Sequence, residues 1–362
     1  MGFTRVPADF AVIPGAQKSV TFALSWPIVS AAESIANDPK SSRVTVHPHE
    51  NQWVTRGLIK QLICGVATQR EQLPPPIPSV RRSSSPLNLL KKVPRGILGY
   101  FDSRLPAPFS PPKIDTQSYM TTPSSYNSSV PKNIDLVCGD PLLELQAIAM
   151  NTLANADLPG VNAWLGVIDW LRDFTNSVSA DYDIVFIDTN PSFSMYTQIA
   201  LSSADRVVLP VMADDSSRRA IQNAFSLIYG VKLPSEVYSK YTFATKLTAA
   251  KRKLPEIHLI LKNRLTQYMG SASAFAAVLS GIDGDLTALI KSYPKYFTFS
   301  NPKGGIVEIR DFGTTGVVAF SRGCPFAVMQ TGKLTISGHQ VQVKPEYRDQ
   351  AMEAIDGIVA KI

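Results

Sequence analysis

Along most of this chain, short apolar runs rich in β-branched residues alternate with longer amphipathic stretches, and this alternation constrains the fold more than any other feature. Phe10–Ile13, Arg43–Val46, Ile134–Val137, Ile184–Ile187, Val207–Val211 and Ile257–Leu261 are each bounded by polar or turn residues, the pattern of strands buried on both faces. Between them the spacing predicts helices over Val20–Ala36, Val54–Val66, Pro141–Ala156, Val161–Asn176, Ser216–Gly230 and Ser235–Lys253. Asp140 with Pro141, and Asp215 or Ser216 ahead of the next helix, are suitable caps. Repetition of this β, α order predicts an α/β fold: a doubly wound, mostly parallel sheet flanked by helices, with ligands beyond the carboxyl ends of the strands. From Ser271 onward a long helix, a hairpin-like stretch and a closing helix over Pro345–Ile362 follow. The glycines of Asn301–Gly305 (NPKGG) read as a hairpin turn.

Composition narrows the alternatives. With 44% hydrophobic and 18% charged residues, the 362-residue chain is neither disordered, collagenous nor coiled-coil, and it can bury a sizeable core as a single domain over residues 1–362. No apolar run approaches the length of a membrane-spanning helix, and the opening MGFTRVPADFAVIPG lacks the basic-then-apolar order of a secretory signal, so the expected location is cytoplasmic, with no membrane partner. Cys64, Cys138 and Cys324 are too scattered for a disulfide framework or thiolate metal site and read as buried small hydrophobes. About a dozen of the 27 prolines fall within residues 73–131, among Ser-rich pieces, which predicts an extended insertion over the core, with one short docked helix in LNLLKKVPRGILGYF.

The chemistry concentrates in Asp181–Gly230. DYDIVFID is a strand ending in an acid, Asp188; a turn with Pro191, a helix, a second strand ending near Pro210 and another helix follow. A carboxylate there can hold Mg²⁺ through water or orient an attacking water; it can equally cap the turn that follows the strand.

DYDIVFIDTNPS followed by ALSSADRVVLPV resembles the Walker B region of the ParA/MinD group of P-loop ATPases. NIDLVCGDPLLEL, LILKNRL and IRDFGTTGVVAFSRGCPF resemble further pieces of that family in the same order, so the resemblance runs from Asn133 to near the end of the chain. It implies a P-loop NTPase fold that binds ATP and Mg²⁺, with a phosphate loop after the first strand. AVIPGAQKSV stands there: Gly15, Lys18 and Ser19 match the family's glycine, lysine and hydroxyl, while Gln17 and Pro14 replace glycines and Ile13 replaces the signature lysine. By the same resemblance Lys18 contacts phosphates, Ser19 and Asp188 the Mg²⁺, and Asn263 the adenine. After the second strand, His47 and His49 stand where the family has acids, and histidine is a poor substitute in the shell of hard Mg²⁺.

The formal charge of +7 is concentrated in one stretch. Lys232 to Arg264 carries eight basic residues against Glu236 and Glu256. Such a surface grips phosphates without reading bases, and the resemblance implies nonspecific DNA binding, here assigned to Lys246, Lys251, Arg252 and Lys253. Arg218 and Arg219 read as ion-paired residues of the helix start. Two functions emerge. One is a nucleoid-associated, ParA-like partition protein that dimerises on ATP and works with a ParB-type centromere-binding partner in plasmid or chromosome segregation, with weakened or lost hydrolysis. The other is a catalytically inactive pseudo-ATPase that keeps the fold and serves as a DNA-binding or protein-interaction scaffold.

Overall fold

A five-stranded, all-parallel sheet in the order β2-β1-β3-β4-β5 organises the protein. The computed structural model describes residues 19–24, as backbone, and 96–362 apart from 126, 141, 190–192, 213, 266–272 and 337. The expected strands Phe10–Ile13 and Arg43–Val46, the helix Val54–Val66 and residues 73–95 lie outside the described residues.

In chain order the elements are β1 (Ser19–Leu24), α1 (Gly96–Arg104), α2 (Leu143–Ala154), α3 (Ala163–Ile168), α4 (Trp170–Val178), β2 (Ile184–Thr189), α5 (Met195–Ser203), β3 (Arg206–Met212), α6 (Asp215–Tyr229), α7 (Phe243–Ala249) and β4 (Glu256–Leu265). They continue through α8 (Ser273–Ser292), α9 (Pro302–Gly305), β5 (Ile306–Arg310), α10 (Gly313–Arg322), the antiparallel hairpin β6 (Gly332–Ile336) and β7 (His339–Val343), and α11 (Pro345–Val359).

Strand periodicity distributes the core over the two faces of the sheet. Val207, Leu209 and Val211 of β3 point into the larger cluster with α1 to α8, whereas Val208 joins Leu259, Leu261, Ile309 and Ile358 under α11. β4 needs an adjustment to serve both faces, because Ile257 belongs to the first cluster and Leu259, two residues on, to the second. The register against β3 shifts between Val207 and Val208, which pair with Ile257 and Leu259, so His258 is the extra residue of a bulge that resets the phase. Its imidazole is tied down by Lys361 O at 2.6 Å and Thr298 Oγ1 at 2.7 Å.

The docked helix expected inside LNLLKKVPRGILGYF is α1. It belongs to the core rather than lying over it: Tyr100 and Phe101 are buried, and the Tyr100 hydroxyl donates to Trp170 O at 2.6 Å. Burial raises the Tyr100 pKa beyond the usual phenol range and keeps it a donor. Arg104 pairs with Asp173 at 2.9 Å.

Several expectations change. Residues 20–24 form a strand, not the start of a helix. Ile134–Val137 is not a strand; Leu136 makes only an isolated bridge to Thr121, within a segment without a sheet neighbour. Val161–Asn176 divides at Asp169 into α3 and α4, and Ser235–Lys253 divides at Thr242, whose side chain caps α7 after a 3-10 turn over Glu236–Tyr241. Asn301–Gly305 is a helical turn capped by Asn301 and feeding a parallel strand, not a hairpin. Cys138 and Cys324 are half-buried free thiols rather than core residues.

Candidate functional site at the carboxyl edge of the sheet

A strand order of 2-1-3-4-5 places the topological switch point between β1 and β3, because the chain leaves β1 towards β2 on one side and later returns to β3 on the other. Connections that diverge there open a crevice at the carboxyl ends of the strands. Leu24 pairs with Thr189 at the carboxyl ends of β1 and β2, and β3 and β4 run on beyond that level to Met212, which pairs with Asn263.

Asp188 lies one residue short of the end of β2, in register with Ala23, and is exposed at the crevice. Thr189 beside it is buried. Asn263 is buried near the end of β4. The β3–α6 turn is closed by its own side chains: Met212 N donates to Ser217 Oγ at 2.9 Å and Ser217 N donates to Asp214 Oδ1 at 2.6 Å. Asp214, rather than Asp215 or Ser216, is thus the cap of α6. Arg218 reaches across to Asp285 of α8 at 2.6 Å.

Gly15 and Lys18 lie outside the described residues, and Ser19 opens β1 opposite Ile184, the first residue of β2. Four residues of strand separate that level from Asp188, roughly 13 Å at the rise of extended chain. Ser19 is therefore at the amino edge, and a phosphate loop must follow the carboxyl end of its strand. The residues that follow Leu24, Ser25 to Ser30 (SWPIVS), contain neither glycine nor lysine, and no glycine occurs between Gly15 and Gly57. Backbone N–H groups cannot wrap a triphosphate without such glycines. Asp188 and Asn263 stand near the carboxyl ends of β2 and β4, and Ser19 at the amino end of β1.

The basic stretch also separates on inspection. Arg252 makes two bonds of 2.7 Å to Asp169 and one of 3.2 Å to Ser202 O, and is thereby committed to the interior. Lys262 is buried and paired with Asp283 at 2.5 Å and Glu308 at 3.4 Å. Lys246 is half-buried with its ammonium 5.5 Å from the Trp164 ring centroid, and burial lowers its pKa. Lys251 and Lys253 are exposed. Asp169 was not legible as the partner of Arg252, since 83 residues separate them.

Comparison with solved structures places this architecture. The ATP complex of a Cyanothece McdA point variant superposes with a TM-score of 0.50 over 95% of this chain and 97% of that one, at 9% identity. The chain has the fold of the ParA/MinD-type P-loop NTPases. Weaker similarities include apo McdA (TM-score 0.48, 10% identity, 93% and 99% covered) and a plasmid partition protein of Borrelia burgdorferi bound to AMPPNP (0.42, 11%, 96% and 100%). A family model described as an AAA domain matches residues 127–236, which contain β2, β3 and the crevice acid of the ParA-like fold. No curated protein matches significantly. Among the described residues no helix is long and apolar enough to cross a membrane.

Proposed function

We propose that this protein is a ParA-type partition protein that has kept the NTPase scaffold and lost its phosphate loop, so that it acts by binding rather than by hydrolysis. One observation carries the reading: β1 begins at Ser19, opposite the first residue of β2, and the sequence Ser25 to Ser30 that follows Leu24 has neither glycine nor lysine. The order of ParA-like pieces from Asn133 onward supports the partition class. Catalysis of phosphoryl transfer rests on positioning and charge stabilisation, and a missing phosphate cradle removes both. In this reading nonspecific DNA, a ParB-type protein and a second copy of the chain are constitutive partners at the nucleoid.

The test is isothermal calorimetry with MgATP on wild type and Lys18→Ala, beside DNA anisotropy with and without MgATP. The expected results are no saturable heat below millimolar ATP in either protein, and salt-sensitive DNA binding unmoved by ATP. Micromolar ATP binding abolished by Lys18→Ala overturns the proposal and restores an ATP-driven cycle. Asp188 and Asn263 favour that second reading, because both stand at the crevice edge.

A further inference from the structure

α2 is apolar on both its inner and its outer face, and only the inner one is buried. Gln146, Met150 and Ala154 point inward, and Gln146 Nε2 donates to Leu98 O of α1 at 3.0 Å. On the outer face Leu142 at the N-cap, Leu145 and Ile148 follow at three-residue intervals and are 54%, 66% and 68% exposed. That spacing sets them along one line of the helix surface. Leu158 and Val161, also exposed, follow in the turn between α2 and α3. A lone exposed leucine is ordinary on a protein surface, but a helix that is apolar all round is one that becomes covered all round.

The charges along this part of the chain decide what fits there. Residues 133–171 hold five acids and no Lys, Arg or His, within a chain whose formal charge is +7. Two of the five serve the interior: Asp135 accepts from Thr122 and Tyr182, and Asp169 from Arg252. The other three belong to α2 and its ends. Asp140 accepts from Leu142 N at 2.8 Å, Glu144 accepts from the Tyr196 hydroxyl at 2.7 Å, and Asp157 is exposed three residues after the helix. A second copy of this face would bring carboxylates against carboxylates, which costs affinity, whereas a helix flanked by lysines or arginines is matched in both apolar row and charge.

We propose that the outer face of α2 is a docking surface for a basic amphipathic helix of another protein. The apolar side chains of that helix lie along Leu142, Leu145 and Ile148, and its Lys or Arg residues meet Asp140 and Asp157. The contact is helix on helix, at the usual axis separation of about 8–10 Å. It uses no residue of the nucleotide crevice, so it stands apart from the reading of the phosphate loop.

The experiment uses the full chain without nucleotide. The probes are two fluorescein-labelled peptides of about 16 residues, one of leucine and lysine and one of leucine and glutamate in the same amphipathic order. Anisotropy is expected to show saturable binding of the leucine–lysine peptide alone, weakening several-fold between about 50 and 300 mM salt. Leu145→Gln/Ile148→Gln, which keeps helix propensity, should weaken it roughly tenfold or more. Asp140→Asn/Asp157→Asn should weaken it several-fold and flatten its salt dependence, and Val317→Gln, exposed on α10, is the remote control. These losses, with the wild-type urea midpoint and an unchanged mass by light scattering, uphold the proposal. No saturable binding, equal binding of both peptides, or wild-type affinity in Leu145→Gln/Ile148→Gln overturns it. A lowered urea midpoint in that variant overturns it in favour of another part of this chain lying on the face. A dimer mass that the same substitutions halve overturns it in favour of a second copy.

Discussion

Arg252 provides the sharpest division between a structural and a DNA-contacting role, and Arg252→Ala separates them. The guanidinium joins three elements: the α3–α4 junction through Asp169, the end of α5 through Ser202 O, and the turn after α7 on which it sits. Among the described residues Asp169 receives one other side-chain hydrogen bond, from Ser202 Oγ at 3.2 Å, and is close enough to Arg172 to interact with its charge, so truncation leaves its carboxylate without a direct ion-pair hydrogen bond. Breaking a fully buried pair from one side costs about 3–5 kcal/mol. Here the side chains are 19% and 23% exposed, so water reaches the abandoned carboxylate. That lowers the expectation to roughly 2–3 kcal/mol, or about 4–8 °C in Tm for a chain of this size. Lys253→Ala, on an exposed side chain, should stay within about 0.5 kcal/mol. Urea denaturation of Arg252→Ala, Asp169→Ala and the double variant closes a cycle in which a coupling of about 2 kcal/mol is expected. An unchanged urea midpoint in Arg252→Ala, together with a loss of DNA affinity as large as that of Lys253→Ala, would refute the structural assignment.

Three further substitutions follow from the packing and the charges. A methyl group at Gly305 would overlap the Phe299 ring, so Gly305→Ala should destabilise by about 1–3 kcal/mol, and Phe299→Leu in the same chain should recover part of the loss in a urea titration. Lys262→Met should leave both DNA affinity and stability nearly unchanged, within about 1 kcal/mol, because the buried ammonium pairs with the half-exposed Asp283 and the exposed Glu308, and an apolar side chain of similar volume fits its place. The Arg218 hydrogen bond holds the Asp285 pKa below the usual carboxylate value, with Gln222 and Lys232 contributing. A depressed folded-state pKa gives stability that is present above the unfolded value and lost as pH falls through the folded one. Arg218→Met should therefore lower the urea midpoint at pH 7 by the equivalent of at most about 1 kcal/mol, given the exposure of both partners, and the difference from wild type should shrink and vanish as acid protonates the Asp285 carboxyl. A difference that persists in acid rules out the ion pair as its cause.

The elements legible in the sequence are those whose pattern is local. β2, α5, β3 and α6 follow from alternating burial, a helical period and the left-handed Gly230 that ends α6, and α8 and α11 are long enough for periodicity to decide. Asp188 was legible for the same reason, as an acid closing an apolar run. Ser19 to Leu24 was not, because SVTFAL serves equally as the start of a helix after a turn or as a buried strand, and only pairing with β2 and β3 selects the strand. The bulge at His258 was equally invisible, since an unbroken apolar run does not say which residue is passed over.

By itself the sequence determined that strands and helices alternate, that the sheet is parallel and buried, and that an acid ends β2, because periodicity and β-branched content act within a few residues. The tertiary structure decided where Ser19, Asp188 and Asn263 stand along the sheet and which charges meet. Ser19 falls at the amino edge because register, not composition, sets the level of a strand in its sheet. Arg252 pairs with Asp169 and Lys262 with Asp283, and Lys253 and Lys295 line one cavity, because their partners or neighbours lie tens of residues away in the chain and meet only when the helices pack on the sheet.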